Sequence, residues 1–184
     1  AFSLEDAVKL ICARGRMMQD LPKGGAMAAV FTTPEETAKL LAGYEGRLSI
    51  GAMNGPANTV VSGDADALAE LLRTLDAEAI DYRKVNVPLA AHSPHVVPML
   101  DKFEAVAAEA TFLPLQVPLI SNLTGTILQP GETLSSKYLR DHVREPVRFL
   151  GGIQAAAEQG TDIYLEVGPH RVLAGMGRRI FGAG

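Results

Sequence analysis

Residues 26–87 read AMAAVFTTPEETAKLLAGYEGRLSIGAMNGPANTVVSGDADALAELLRTLDAEAIDYRKVNV, and this stretch decides the fold. Ala26–Thr32 is a short apolar run of strand character. Thr33-Pro34-Glu35-Glu36 then starts a helix, with a capping hydroxyl, a proline in the first turn and glutamate at the third position. That helix ends near Leu41, before Gly43 and Gly46. Arg47–Met53 reads as a second strand, Asn54-Gly55-Pro56 as a turn and Asn58–Ser62 as a third strand. Gly63-Asp64 opens a helix whose Leu68, Leu71, Leu72 and Leu75 form an i, i+3, i+4, i+7 stripe. Glu78–Val87 is a fourth strand. The order is β-α-β-β-α-β, the ferredoxin-like motif, able to bury a small core of its own.

On the N-terminal side, Ser3 with Asp6 caps a helix running to about Met18. Leu4, Val8, Ile11 and Cys12 recur on one face of it and are expected to be core. Leu21-Pro22-Lys23-Gly24-Gly25 breaks it. On the C-terminal side, Ser93-Pro94 caps a helix carrying Val97, Leu100, Phe103 and Val106. A strand at Leu115–Asn122, a loop over 126–133, helices at Ser135–Val143 and Pro146–Glu158, a buried-type strand at Asp162–Val167 and a helix from His170 to Phe181 follow. Strands alternating with helices predict the parallel sheet of an α/β domain.

Composition narrows the function classes. The 184 residues are 47% apolar and 21% charged, too apolar for a disordered chain. There is no apolar run near the ~20 residues that span a bilayer and no secretory leader pattern. Cys12, the one cysteine, excludes an internal disulfide framework or a cysteine-rich zinc site, so no metal is expected. A net charge of −4 with scattered Lys and Arg gives no footprint for nucleic acid. What remains is a soluble, cytoplasmic, globular α/β domain.

His92 sits between a strand end and a helix cap in Leu89-Ala90-Ala91-His92-Ser93-Pro94, where α/β folds place ligand chemistry. A helix N-terminus favours the neutral imidazole that a general base needs. A plain loop histidine is the simpler reading of these residues alone. Arg14 and Arg16 offer planar clamps for a carboxylate, or merely complement the helix dipole. Asn54 and Asn122 lie at strand ends, His95 and His170 read as surface residues, and Met17, Met18 and Met27 read as core filler. No serine stands in a GxSxG elbow, and no glycine-rich phosphate loop occurs. The chain holds a candidate base without a nucleophile.

Several stretches together resemble the acyltransferase domain of a modular type I polyketide synthase. They are Ala13-Arg14-Gly15-Arg16-Met17-Met18-Gln19, Gly25-Ala26-Met27-Ala28-Ala29-Val30, Asn54-Gly55-Pro56 with Val60-Val61-Ser62-Gly63, and Ala91-His92-Ser93-Pro94. Ser121-Asn122-Leu123-Thr124-Gly125, His142-Val143-Arg144 with Pro146-Val147-Arg148-Phe149, and Leu165-Glu166-Val167-Gly168-Pro169 complete the series. The resemblance implies a hydrolase-like α/β subdomain carrying a ferredoxin-like small subdomain over 22–88, with 1–21 and 89–184 belonging to the larger part. It implies ping-pong transfer of a malonyl-type group from a coenzyme A thioester, as substrate rather than bound cofactor, to an acyl carrier protein, beside neighbouring synthase domains. By resemblance His92 activates the serine, and Arg14 clamps the free carboxylate. His142 stands where a backbone carbonyl orients the imidazole, and Gln19 and Asn54 lie near the acyl pocket.

Two departures stand out. The family's GQG-type loop and GHSxG serine are absent, so the nucleophile is expected on a missing N-terminal segment, leaving this chain inactive alone. The specificity stretch is Leu89-Ala90-Ala91-His92, where malonyl-selective members carry HAFH and methylmalonyl-selective ones YASH. The small Ala91 leans toward methylmalonyl, while Leu89 fits neither. A non-catalytic ferredoxin-like docking module is the alternative, and it would have no use for an arginine aimed at His92.

Overall fold

In the computed structural model, residues 1–87 and 89–182 are described. Pro88, the expected edge of the small subdomain, and Ala183 and Gly184 lie outside them. The deciding stretch folds as β1 (Gly25–Val30), α2 (Pro34–Leu40), β2 (Leu48–Gly55), β3 (Asn58–Asp64), α3 (Ala65–Ala77) and β4 (Tyr82–Val85). These strands make one antiparallel sheet in the order β2-β3-β1-β4. Alternation in the strands sends Ala28, Val30, Leu48 and Val61 to one face, where Leu68, Leu71, Leu72 and Leu75 of α3 close over them. Full burial of each such leucine stabilises by about 1.5–3 kcal/mol. Local signals start the helices where expected: the Thr33 hydroxyl accepts from Glu36 N at 3.2 Å and Asp64 Oδ1 from Ala67 N at 2.8 Å.

Three elements of this part differ from expectation. Asn54 and Gly55 continue β2 rather than forming a turn. β3 continues to Asp64, which caps α3. β4 is four residues, not ten, because α3 runs to Ala77 and the chain turns through Ala79 at φ 54° before it can pair.

The remainder is mainly helical. It comprises α1 (Leu4–Gln19), a 3₁₀ turn at Pro94–Val96, α4 (Val97–Ala107), the two-stranded pair β5 (Leu119–Ile120) and β6 (Ile127–Leu128), α5 (Ser136–Arg144), α6 (Phe149–Glu158) and α7 (Val172–Ile180). Val96, Met99, Leu100, Phe103 and Val143 form a second core, against which Met17, Met18 and Leu21 pack.

Here the sequence reading needs more correction. The strand expected at 115–122 shrinks to two residues, and its partner β6 lies in the expected loop. The expected parallel sheet does not form within the described residues, whose isolated parallel bridge joins Ala52 to Val147. Residues 162–167 run without a strand partner among the described residues, with Ile163, Leu165 and Val167 85–90% exposed. On α1 the stripe expected in the core is outward. Leu4, Val8 and Ile11 are exposed, as is Cys12, while Leu10 turns inward toward the side that meets α4. Glu166 acquires a role, accepting from Leu173 N and Ala174 N at 3.1 and 2.8 Å to cap α7.

Candidate active site

The second face of the sheet carries Gly25, Ser49, Gly51 and Ser62, and the segment 90–93 lies across it. Two glycines permit that approach. A Cβ on Gly25 would stand 2.8 Å from Ala90 N, and one on Gly51 would meet Ser62 Cβ at 3.0 Å and His92 Cβ at 3.7 Å. Three hydroxyls then fasten the segment. Ser62 donates to Ala91 O at 2.6 Å, Ser49 to His92 O at 3.0 Å, and the buried Ser93 to Ala90 O at 2.7 Å. These bonds hold His92 at φ 57°, a left-handed conformation costing a non-glycine residue about 1–2 kcal/mol.

His92 Nδ1 lies 2.8 Å from the backbone oxygen of Glu145. A carbonyl only accepts, so Nδ1 carries the proton and Nε2 is left as the acceptor. The orienting carbonyl therefore belongs to Glu145, three residues past His142, where the resemblance had put it. Pro146 is the physical reason. It drives the residue before it out of the helical region, and Glu145 adopts φ −80°, ψ 158°, turning its carbonyl out of α5. The next residues dock on the free edge of β2, with Val147 N donating to Gly51 O at 2.9 Å and Met53 N to Val147 O at 2.8 Å.

Electrostatics keep this imidazole neutral. Burial pushes the His92 pKa below the ordinary histidine value; the Glu145 contact pulls it up, and the charges of Arg14 and His142 push it down again. His142 is depressed by burial and then by Arg14. Its ring meets His92 edge-on, centroids 6.3 Å apart at 76°. Arg14 thus acts on both rings from α1. Its Nε is buried with no hydrogen-bond partner, and no carboxylate pairs with it among the described residues. A half-buried guanidinium whose Nε is left in that state is suited to an incoming anion.

Arg14, His92 and His142 are thus brought together, with Ala91 adjacent and half-buried. Leu89 is also half-buried. Gln19 is exposed at the end of α1, and Asn122 is exposed with its carbonyl taking Arg148 N at 2.8 Å. Asn54 lines a separate cleft of about 640 Å³ between the sheet and α7, shared with Arg83 and Arg179. Met27 lines that cleft too rather than filling a core. His95, expected at the surface, is half-buried against Gly25; His170 is exposed. Sequence reasoning missed Ser49, Ser62 and Glu145. The two serines stand on different strands, β2 and β3, and face each other only once those strands pair, so neither strand alone signals that something docks there.

Comparison with known proteins gives one consistent picture. The family model described as "Acyl transferase domain" matches residues 1–182. "Polyketide synthase GfsA" of Streptomyces halstedii is 41% identical over 182 residues, 99% of this chain and 2% of that protein. Among solved structures, the acyltransferase domain from the second module of the salinomycin polyketide synthase superposes with a TM-score of 0.94 at 39% identity. The match covers 98% of this chain and 42% of that domain. The malonyl CoA-acyl carrier protein transacylase from Clostridium perfringens gives 0.92 at 26% identity, covering 100% and 59%.

Proposed function

This chain belongs to the acyl transferase domain family, and on that premise we propose that it supplies the base and the carboxylate clamp for polyketide extender transfer. The group moved is malonyl-type, passing from coenzyme A to the phosphopantetheine thiol of an acyl carrier protein. One observation carries the reading: His92 Nδ1 is bound to the Glu145 carbonyl at 2.8 Å, leaving Nε2 as a fixed proton acceptor. The low pKa of His92 keeps that nitrogen unprotonated at neutral pH.

The nucleophile is a serine hydroxyl carried by polypeptide outside residues 1–184. His92 Nε2 takes its proton as the oxygen bonds to the thioester carbon. The tetrahedral adduct collapses, the carbon–sulfur bond breaks, and the coenzyme A thiolate recovers the proton from His92. The carrier thiol then repeats the sequence on the acyl-serine, so one transfer becomes two easier ones. Arg14 binds the free carboxylate and selects dicarboxylic acyl groups. Leu89 and Ala91, beside His92, border the acyl group, whereas Gln19 and Asn54 stand away from it, and the small Ala91 favours an α-methyl by the roughly 1–3 kcal/mol that one such contact is worth.

In this reading residues 22–88 are a ferredoxin-like small subdomain, and 1–21 with 89–184 are part of a hydrolase-like α/β subdomain. The exposed apolar residues of α1 and of 162–167 support a covering segment that bears the serine. The 184 residues alone are then inactive.

Intact-mass spectrometry of a complete domain containing these residues tests the assignment. Malonyl-CoA should leave a malonyl adduct on the wild type. Arg14→Ala should lose the charged contacts, about 1.5–3 kcal/mol, and load malonyl roughly 10- to 150-fold more slowly. Acetyl loading should persist. Equal losses for malonyl and acetyl would sink the clamp, and leave a docking module as the better account if neither protein loads.

A further inference from the structure

Behind His142 stands a hydroxyl pair that acyl transfer as described does not use. Ser121 is 1% exposed, and its Oγ accepts from Leu123 N and Thr124 N, both at 3.2 Å. A hydroxyl has two acceptor positions and one proton. With both acceptor positions taken, the Ser121 proton goes to the Tyr138 hydroxyl oxygen 2.8 Å away. Tyr138 is thereby tethered at its far end, and its ring stacks on His142 with centroids 6.2 Å apart at 30°. His142 in turn abuts His92. The series runs from a buried serine through two rings to the imidazole.

We propose that Tyr138, tethered by Ser121, is a positioning residue that holds the His142 ring as a wall against His92, so that the base keeps its bond to the Glu145 carbonyl. The proposal rests on His92 being the base. Aromatic contacts of this kind are worth about 0.5–1.5 kcal/mol each, enough to favour one ring orientation over another. On α5, Lys137 pairs with Asp141, and Arg140 pairs with Asp101 and Glu104 of α4. Arg14 of α1 is the charge that bears on both imidazoles, and none of its pressure is relieved by a carboxylate among the described residues.

Three substitutions separate ring, tether and charge. Tyr138→Phe keeps the ring and removes the tether, His142→Ala removes the wall, and His142→Phe keeps a wall without a titrating group. In the 184-residue chain, nitrogen-15 imidazole spectra report the His92 tautomer and the exchange of its Nδ1 proton. Tyr138→Phe and His142→Ala should speed that exchange about tenfold through freer local opening, and His142→Phe should restore most of the protection lost in His142→Ala. In the complete domain, the first two should lower kcat for acylation about tenfold, with KM for malonyl-CoA within about twofold, as expected for a misplaced base. Wild-type exchange in His142→Ala, or no rescue by His142→Phe, overturns the proposal. A wild-type domain that loads no malonyl group would overturn the functional reading instead, while the exchange measurements on the chain still decide the positioning.

Discussion

Gly25→Ala isolates the docking of segment 90–93 on the sheet. Gly25 has no left-handed backbone, so alanine meets no conformational penalty, and the effect is purely one of space. The new Cβ would stand 2.8 Å from Ala90 N, 2.9 Å from Ala90 Cβ and 3.1 Å from His95 Nε2. Ordinary contact begins near 3.4 Å, so the Ala90 backbone must retreat by about 0.6 Å. The retreat pulls against the Ser62–Ala91 and Ser49–His92 bonds, which fix the next two residues. Overpacking of this kind costs about 1–3 kcal/mol. Since a 1 Å misplacement near the chemistry costs about a hundredfold, a shift of this size should slow acyl loading by roughly tenfold. Urea denaturation of the chain measures the first effect, and loading of a complete domain by intact mass the second. Gly15→Ala is the control. It lies inside α1 with nothing within 4 Å of its Cβ, so it should stabilise the chain by about 0.5–1 kcal/mol. A Gly25→Ala chain as stable as wild type, with unchanged loading, would refute the account of how the sheet carries His92.

Two more outcomes follow from the same site. Ser62 is fully buried, and Ser62→Ala should leave the Ala91 carbonyl unpaired, costing about 1–3 kcal/mol in urea denaturation; a cost near zero would mean the bond does not hold the segment. His92 and His142 are both depressed, so their contribution is fully present above the ordinary histidine value of about 6.5 and is lost as pH falls toward their folded values. Urea midpoints at pH 7.5 and 5.5 should therefore differ more for wild type than for a His92→Gln, His142→Gln double variant, and equal differences would contradict the buried-neutral assignment.

Legibility in the sequence followed the range of the forces involved. Caps were readable because they act within three residues: Ser3, Thr33, Asp64 and Ser135 each accept from the backbone N–H three positions on. The leucine stripe of α3 was readable because its partner strands lie in the same short stretch. The apolar stripe of α1 has the same periodicity but faces outward, since period alone names a face and not what covers it. The strand expected at 162–167 failed likewise, apolar in pattern and without a strand partner among the described residues. In the site, Arg14 and His92 carry side-chain chemistry that sequence displays. The orienting carbonyl of Glu145 belongs to the backbone, which every residue shares, and its only trace was the proline that follows it. The hydroxyls of Ser49 and Ser62 became meaningful only when a segment more than 25 positions away came to rest on them.

β2 touches both His92 and the chain that orients its ring. From inside the strand Ser49 grips the His92 backbone, while its outer edge is laced to Val147, two residues beyond the carbonyl that fixes the imidazole. Arg14 hangs on α1, whose main packing partner is α4. A displacement of β2 therefore carries the His92 imidazole and the carbonyl that orients it together, and leaves the Nδ1–Glu145 bond intact.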